Sequence, residues 1–139
     1  MTSVELSERL LDFAARIGTV VDALPDTRLG RHISGQLIRC GTAPGPNYEE
    51  ACAAESRADF VHKLSISLKE IRESGYWLRL IVRTRLLPQT KLEKLVGECR
   101  ELMNIIGKSR VTAKRSDRVL SRGMPRSPNP DSVNSSNNF

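Results

Sequence analysis

Residues 36–80, QLIRCGTAPGPNYEEACAAESRADFVHKLSISLKEIRESGYWLRL, decide the fold. Pro44 and Pro46 each lack a backbone donor and disfavour helix in the residue before them. The spacing therefore predicts a bend or break over residues 42–47, before helix resumes at Tyr48–Ala54. Ser56, three residues before Asp59, reads as an N-cap with a shortened capping box, opening a long helix expected from about Arg57 to Leu86. Phe60, Leu64, Leu68, Ile71, Leu78, Ile81 and Val82 form its main stripe, and Gly75 on the same face allows a neighbouring helix to come close.

At about 100° per residue, His62, Ile66, Glu73, Trp77 and Leu80 fall on the other side of that helix. A four-helix bundle buries mainly one stripe per helix, so these five residues are expected to form an oligomer interface. Arg39, Asn47 and Glu50 flank the bend with Pro44 and Pro46, and are expected to satisfy backbone groups that the prolines leave unpaired. Their value would be architectural.

Working outward, Leu6, Leu10, Phe13, Ile17, Val20 and Leu24 alternate by four and three residues, marking a first helix that ends before Pro25. Asp26 and Thr27 can cap a second, carried by Leu29, Ile33, Leu37 and Cys40. Pro88 suits a first helical position, and Leu92, Leu95, Val96, Cys99, Leu102, Met103 and Ile106 give a last helix one apolar face. The expected fold is all-α: an up-and-down antiparallel four-helix bundle over residues 1–114, followed by a disordered basic tail over 115–139.

Charge divides the chain seven residues earlier. Residues 1–107 hold 15 Lys and Arg against 14 Asp and Glu, whereas residues 108–139 hold 7 against 2, so +5 of the net +6 lies at the C-terminal end. Lys108, Arg110, Lys114, Arg115, Arg118, Arg122 and Arg126 are accordingly the candidate nucleic-acid-binding residues, able to hold phosphates through counterion release. Cys40, Cys52 and Cys99 are odd in number and widely spaced, which suggests reduced core thiols rather than a disulfide framework or metal knuckle. With no basic, apolar leader and no run of roughly 18 apolar residues, the sequence reads as cytoplasmic.

Enzyme chemistry finds little footing. Glu55, Asp59 and His62 stand at i, i+4 and i+7 and could gather on one helix face as metal ligands, but di-iron bundles draw Glu and Glu-x-x-His from four helices, and this chain has only His32 and His62. A capped helix start with a surface or interfacial histidine is the simpler reading, so no metal, cofactor or catalytic residue is expected. Glu49 and Glu50 point about 100° apart and lack a nucleophile or phosphate loop. Tyr76 and Trp77 beside Arg79 have the makings of a base-stacking site, although Trp77 is better read as an interface anchor.

The order QLIRCGTAPGPNYEEA followed by AESRADFVHKLSISLKEIRESGYWLRLI resembles the bacterial 23S rRNA intervening-sequence protein family over roughly residues 10–110. Arg39, Gly41, Asn47, Glu50 and Ala51 stand at motif positions before the long helix. Glu55, Ser56, Asp59, Phe60, Lys63, Leu64, Lys69, Glu70, Glu73 and Trp77-Leu78-Arg79 do so within it or at its start. The resemblance implies an up-and-down bundle that assembles into a ring, commonly a pentamer. It also implies kinship with the basic, barrel-shaped accessory proteins of diversity-generating retroelements, which bind nucleic acid and a reverse transcriptase. The expectation is a non-enzymatic, homo-oligomeric adaptor associated with RNA or DNA, the alternative being a protein-interaction scaffold that binds no nucleic acid.

Overall fold

The computed structural model describes residues 1–123, with side chains through Ser116. It is all-helical: α1 (Ser3–Ala23), α2 (Arg28–Thr42), α3 (Pro44–Cys52), α4 (Arg57–Thr84), a single 3-10 turn (Gln89–Lys91) and α5 (Glu93–Gly123). α2 and α3 form one broken rod, so four rods run up and down. Each packs on its neighbours in the order α1, α2/α3, α4, α5, and the square closes through a sparse α5–α1 seam.

Local chemistry sets the helix ends. Thr2 accepts from the Glu5 amide while the Glu5 carboxylate accepts from the Thr2 amide, a full capping box that the sequence reading passed over. Thr27 caps α2 through the Gly30 amide, and Ser56 caps α4 through the Asp59 amide. α4 stops at Arg85, whose left-handed backbone (φ 58°, ψ 31°) closes the last turn onto the Ile81 and Val82 carbonyls. Pro88 does not open α5 as expected: its extended backbone (ψ 138°) leads into the 3-10 turn, and the α-helix begins at Glu93.

The break at the prolines is tighter than residues 42–47. Only Ala43 interrupts the helix, and Pro44 sits in the first turn of α3, where its missing N–H removes no helical bond. Asn47 Nδ2 donates to the Ala43 carbonyl at 2.9 Å, and buried Ser67 of α4 donates to the Pro44 carbonyl at 3.0 Å. Arg39 and Glu50 take other partners: Arg39 ion-pairs with Glu70 and Glu73, and Glu50 with Lys63.

The core joins Leu10, Phe13 and Ile17 of α1 to Ile33 and Leu37 of α2, Leu64, Ile71, Leu78 and Ile81 of α4, and Leu102 and Ile106 of α5, all essentially inaccessible. Burying each such side chain stabilises by roughly 1.5–3 kcal/mol. Close approach between rods depends on two glycines: Gly41 lies against Ile17, and Gly75 against the Cys99 sulfur. Cys40 and Cys99 are core thiols, but Cys52 is exposed at the end of α3, contrary to the expectation for all three. α5 runs to Gly123, past the domain boundary placed at residue 114; residues 124–139 lie outside the described residues.

Candidate nucleic-acid interface

α4 has more than one buried face because α2, α3 and α5 all pack on it. This changes the reading of its second apolar side. Trp77 and Leu80 are half-buried against the core of their own chain, and Glu73 meets Arg39 of α2. The Trp77 ring stands edge-on to His32 of α2, with centroids 5.6 Å apart, and its Nε1 is buried with no hydrogen-bond partner among the described residues. Of the five residues assigned to an oligomer interface, His62 is exposed and Ile66 half-buried, while the other three are engaged within the chain.

Four acids of α4 and α5 share one arrangement. Glu70 and Glu73 of α4 turn to Arg39 on α2, the first at 3.1 Å. Glu98 and Glu101 of α5 turn to Arg9 on α1, with Arg9 Nε donating to Glu98 at 3.2 Å and a second guanidinium nitrogen donating to the same carboxylate. The Glu98 hydrogen bonds hold the Arg9 guanidinium above its ordinary pKa. These pairs place the carboxylates on the flanks of α4 and α5 that face α2 and α1.

What is left on the outward seam between α4 and α5 is cationic. Arg72, Arg79 and Arg83 stand at i, i+7 and i+11 on α4, with Tyr76 between them, and Arg100 faces them from α5. Three hollows along this seam share lining residues: Arg79, Val96 and Arg100 link the first to the second, and Arg72 and Met103 link the second to the third. Together they form a trough that runs beside α5 from Glu93 to Arg115, roughly 33 Å at about 1.5 Å per residue. Among the described residues lining it, Glu93 is the one acid.

The basic segment proposed from sequence joins this trough in part. Lys108, Arg110 and Arg115 line its far end, Lys114 is exposed on the same helix, and Arg110 Nε is buried with no hydrogen-bond partner among the described residues. Arg118 and Arg122 fall within the backbone of α5, and Arg126 lies outside the described residues. No lining cation of the trough has an ion-pair partner among the described residues. The sequence reading singled out Tyr76 and Trp77 beside Arg79 but did not join them to Arg72 or to the basic end of α5 as one surface. The signal was present in the spacing of Arg72, Tyr76, Arg79 and Arg83 by four, three and four, which a count of net charge cannot register.

Tyr76 is 52% exposed at the centre of the trough, and its ring stands edge-on to Trp77 with centroids 5.1 Å apart. Glu55 and Asp59 border a shallow hollow at the start of α4, where Lys63 reaches Glu50 at 2.8 Å. Among the described residues no group of three His, Cys, Asp or Glu is placed to hold a metal ion, and no helix is long and apolar enough to cross a membrane.

Comparison with known proteins supplies the family. No curated protein matches this chain. A crystal structure of a protein of unknown function from the S23 ribosomal protein family, from Bacteroides thetaiotaomicron, is 36% identical with a TM-score of 0.68, covering 73% of this chain and 94% of the other. The family model described as 23S rRNA-intervening sequence protein matches residues 3–108, which takes in all of α1 to α4 and half of α5. The chain belongs to the 23S rRNA-intervening sequence protein family.

Proposed function

We propose that this protein is a non-enzymatic, cytoplasmic, homo-oligomeric adaptor of a bacterial cell that holds nucleic acid, RNA foremost, through the cationic side of α5 and the basic residues that follow it. The observation that carries the reading is the division of charge: Glu70, Glu73, Glu98 and Glu101 are drawn into ion pairs with arginines of α1 and α2, while cations on the outward side, where Glu93 is the one lining acid, stay unpaired among the described residues. Unpaired Lys and Arg in a row attract a polyanion, and release of its counterions drives binding. A family description that refers to 23S rRNA accords with RNA as that polymer. Self-association, into five copies as the resemblance implies, would repeat the cationic surface around a ring and multiply its hold on one strand.

The test is binding of an oligoribonucleotide to the full chain across a salt series. Affinity is expected to fall steeply with salt. A Lys108→Gln/Lys114→Gln/Arg115→Gln variant should bind more weakly with a shallower slope, because each lost phosphate contact removes about one unit from it. Binding that ignores both salt and substitution would overturn the proposal.

One observation favours a scaffold instead. Val4 and Leu11 lie one heptad apart on the outer side of α1 and are 69% and 61% exposed, an apolar stripe with no cover among the described residues. If it works as a protein-binding surface, Leu11→Lys abolishes capture of the partner and leaves oligoribonucleotide binding intact.

A further inference from the structure

We infer that the α4–α5 trough is a binding site for single-stranded nucleic acid in which Tyr76 stacks on an unpaired base while Arg72, Arg79 and Arg83 grip the flanking phosphates. This rests on the nucleic-acid reading above and extends it from the basic end of α5 to a defined subsite. Three features select the ligand class. The trough is roughly 33 Å long, which suits a chain molecule rather than a metabolite. Its unpaired cations face a single acid at one end, which demands a polyanion. At its centre an aromatic face is open, and an acidic peptide has no use for such a face, whereas a base does.

Geometry on α4 gives the grip its order. Arg72, Tyr76, Arg79 and Arg83 occupy one side of the helix, with the arginines about 10 and 6 Å apart along the axis and the tyrosine between the first two. Tyr76 is also positioned in advance. Its ring packs T-shaped against Trp77, which packs T-shaped against His32, so two rings in series stand behind the exposed one. Preorganisation of this kind lowers the ordering cost of binding. A duplex hides its base faces inside the stack, so Tyr76 would offer it no stacking partner.

Equilibrium binding by fluorescence anisotropy tests this with the full-length chain and four probes: an oligouridylate of about a dozen nucleotides, its abasic sugar-phosphate counterpart, an RNA duplex of equal length, and a polyglutamate peptide. The wild type should bind the oligouridylate about tenfold more tightly than the abasic strand. Tyr76→Ala should abolish that preference, and Tyr76→Phe should retain it. Because Tyr76 is exposed, both variants should keep the wild-type unfolding midpoint, which is measured alongside. If Tyr76→Ala still prefers the oligouridylate, or if the wild type binds the abasic strand equally well, stacking is wrong and phosphate binding by the basic surface survives alone. Tighter binding to duplex overturns the single-strand assignment, and polyglutamate bound as tightly as oligouridylate reassigns the trough to an acidic protein partner. If no polyanion binds, this inference and the nucleic-acid reading fall together.

Discussion

Gly41 of α2 lies so close to Ile17 of α1 that a Cβ added to it would stand 2.6 Å from Ile17 Cγ2 and 2.8 Å from Cγ1. A β-branched isoleucine packed in the core cannot swing aside, so the helices themselves would have to part. Gly41→Ala should therefore lower stability by about 1–3 kcal/mol despite alanine's better helix propensity. Gly35 is the control on the same helix: apart from the helix's own adjacent backbone, nothing lies within 4 Å of the equivalent Cβ, and Gly35→Ala should raise stability by about 0.5–1 kcal/mol. Urea midpoints of the two variants, shifted in opposite directions, check the pair.

Burial pushes the Cys40 thiol up to about 12 and the Cys99 thiol up to about 11, from an ordinary value of 9.0. In the unfolded chain these thiols ionise near the ordinary value, whereas the folded protein keeps them protonated. Their contribution to stability is complete below about pH 9 and is lost as pH climbs towards 11–12, because the unfolded state then binds fewer protons. Unfolding midpoints measured between pH 7 and about pH 10.5 should fall, and Cys99→Ala should fall less steeply. In the native state a chromogenic disulfide reagent should titrate one thiol rapidly, the exposed Cys52, and three after denaturation.

At the break between α2 and α3 the decisive groups are amide and hydroxyl donors. Removing the 2.9 Å bond from Asn47 Nδ2 to the Ala43 carbonyl should cost about 1 kcal/mol, and Asn47→Asp should cost as much as Asn47→Ala, since a carboxylate cannot donate. Ser67→Ala strips the Pro44 carbonyl of a buried partner and should cost about 1–2 kcal/mol. Thermal unfolding of the three variants is the measurement.

Arg9 grips Glu98 through two nitrogens and reaches Glu101 at 3.3 Å. Arg9→Met keeps an apolar stem but loses these bonds, and should destabilise by about 1 kcal/mol at low salt and less at high salt. A double-mutant cycle with Glu98→Gln should return a coupling of similar size; a coupling near zero would mean that the pair is geometric only.

Much of this molecule was legible before its structure. Leu6, Leu10, Phe13, Ile17 and Val20 announced α1 because their spacing has one helical solution, and the same held for the buried side of α5. The bend was legible because proline acts locally, but its width was not, since the donors that narrow it come from Asn47 and from Ser67 on another rod. What the second side of α4 packs on was not legible for a related reason: that Trp77 meets His32 of its own α2 depends on which rods lie side by side, and periodicity within one helix carries no such information. The continuity of the outward seam, beyond Tyr76 and Arg79, escaped for a third reason. Net charge over residues 1–107 is close to neutral, and only the pairing of Glu70, Glu73, Glu98 and Glu101 with arginines on other helices uncovers the cations they would otherwise mask.

The α5–α1 seam is sparse, so α1 is held chiefly from the α2/α3 side of the barrel. Its clasp at Arg9 is polar and responsive to salt, so opening there forfeits less than parting α4 from α5. Amides of α1 should exchange with solvent sooner than those of α4.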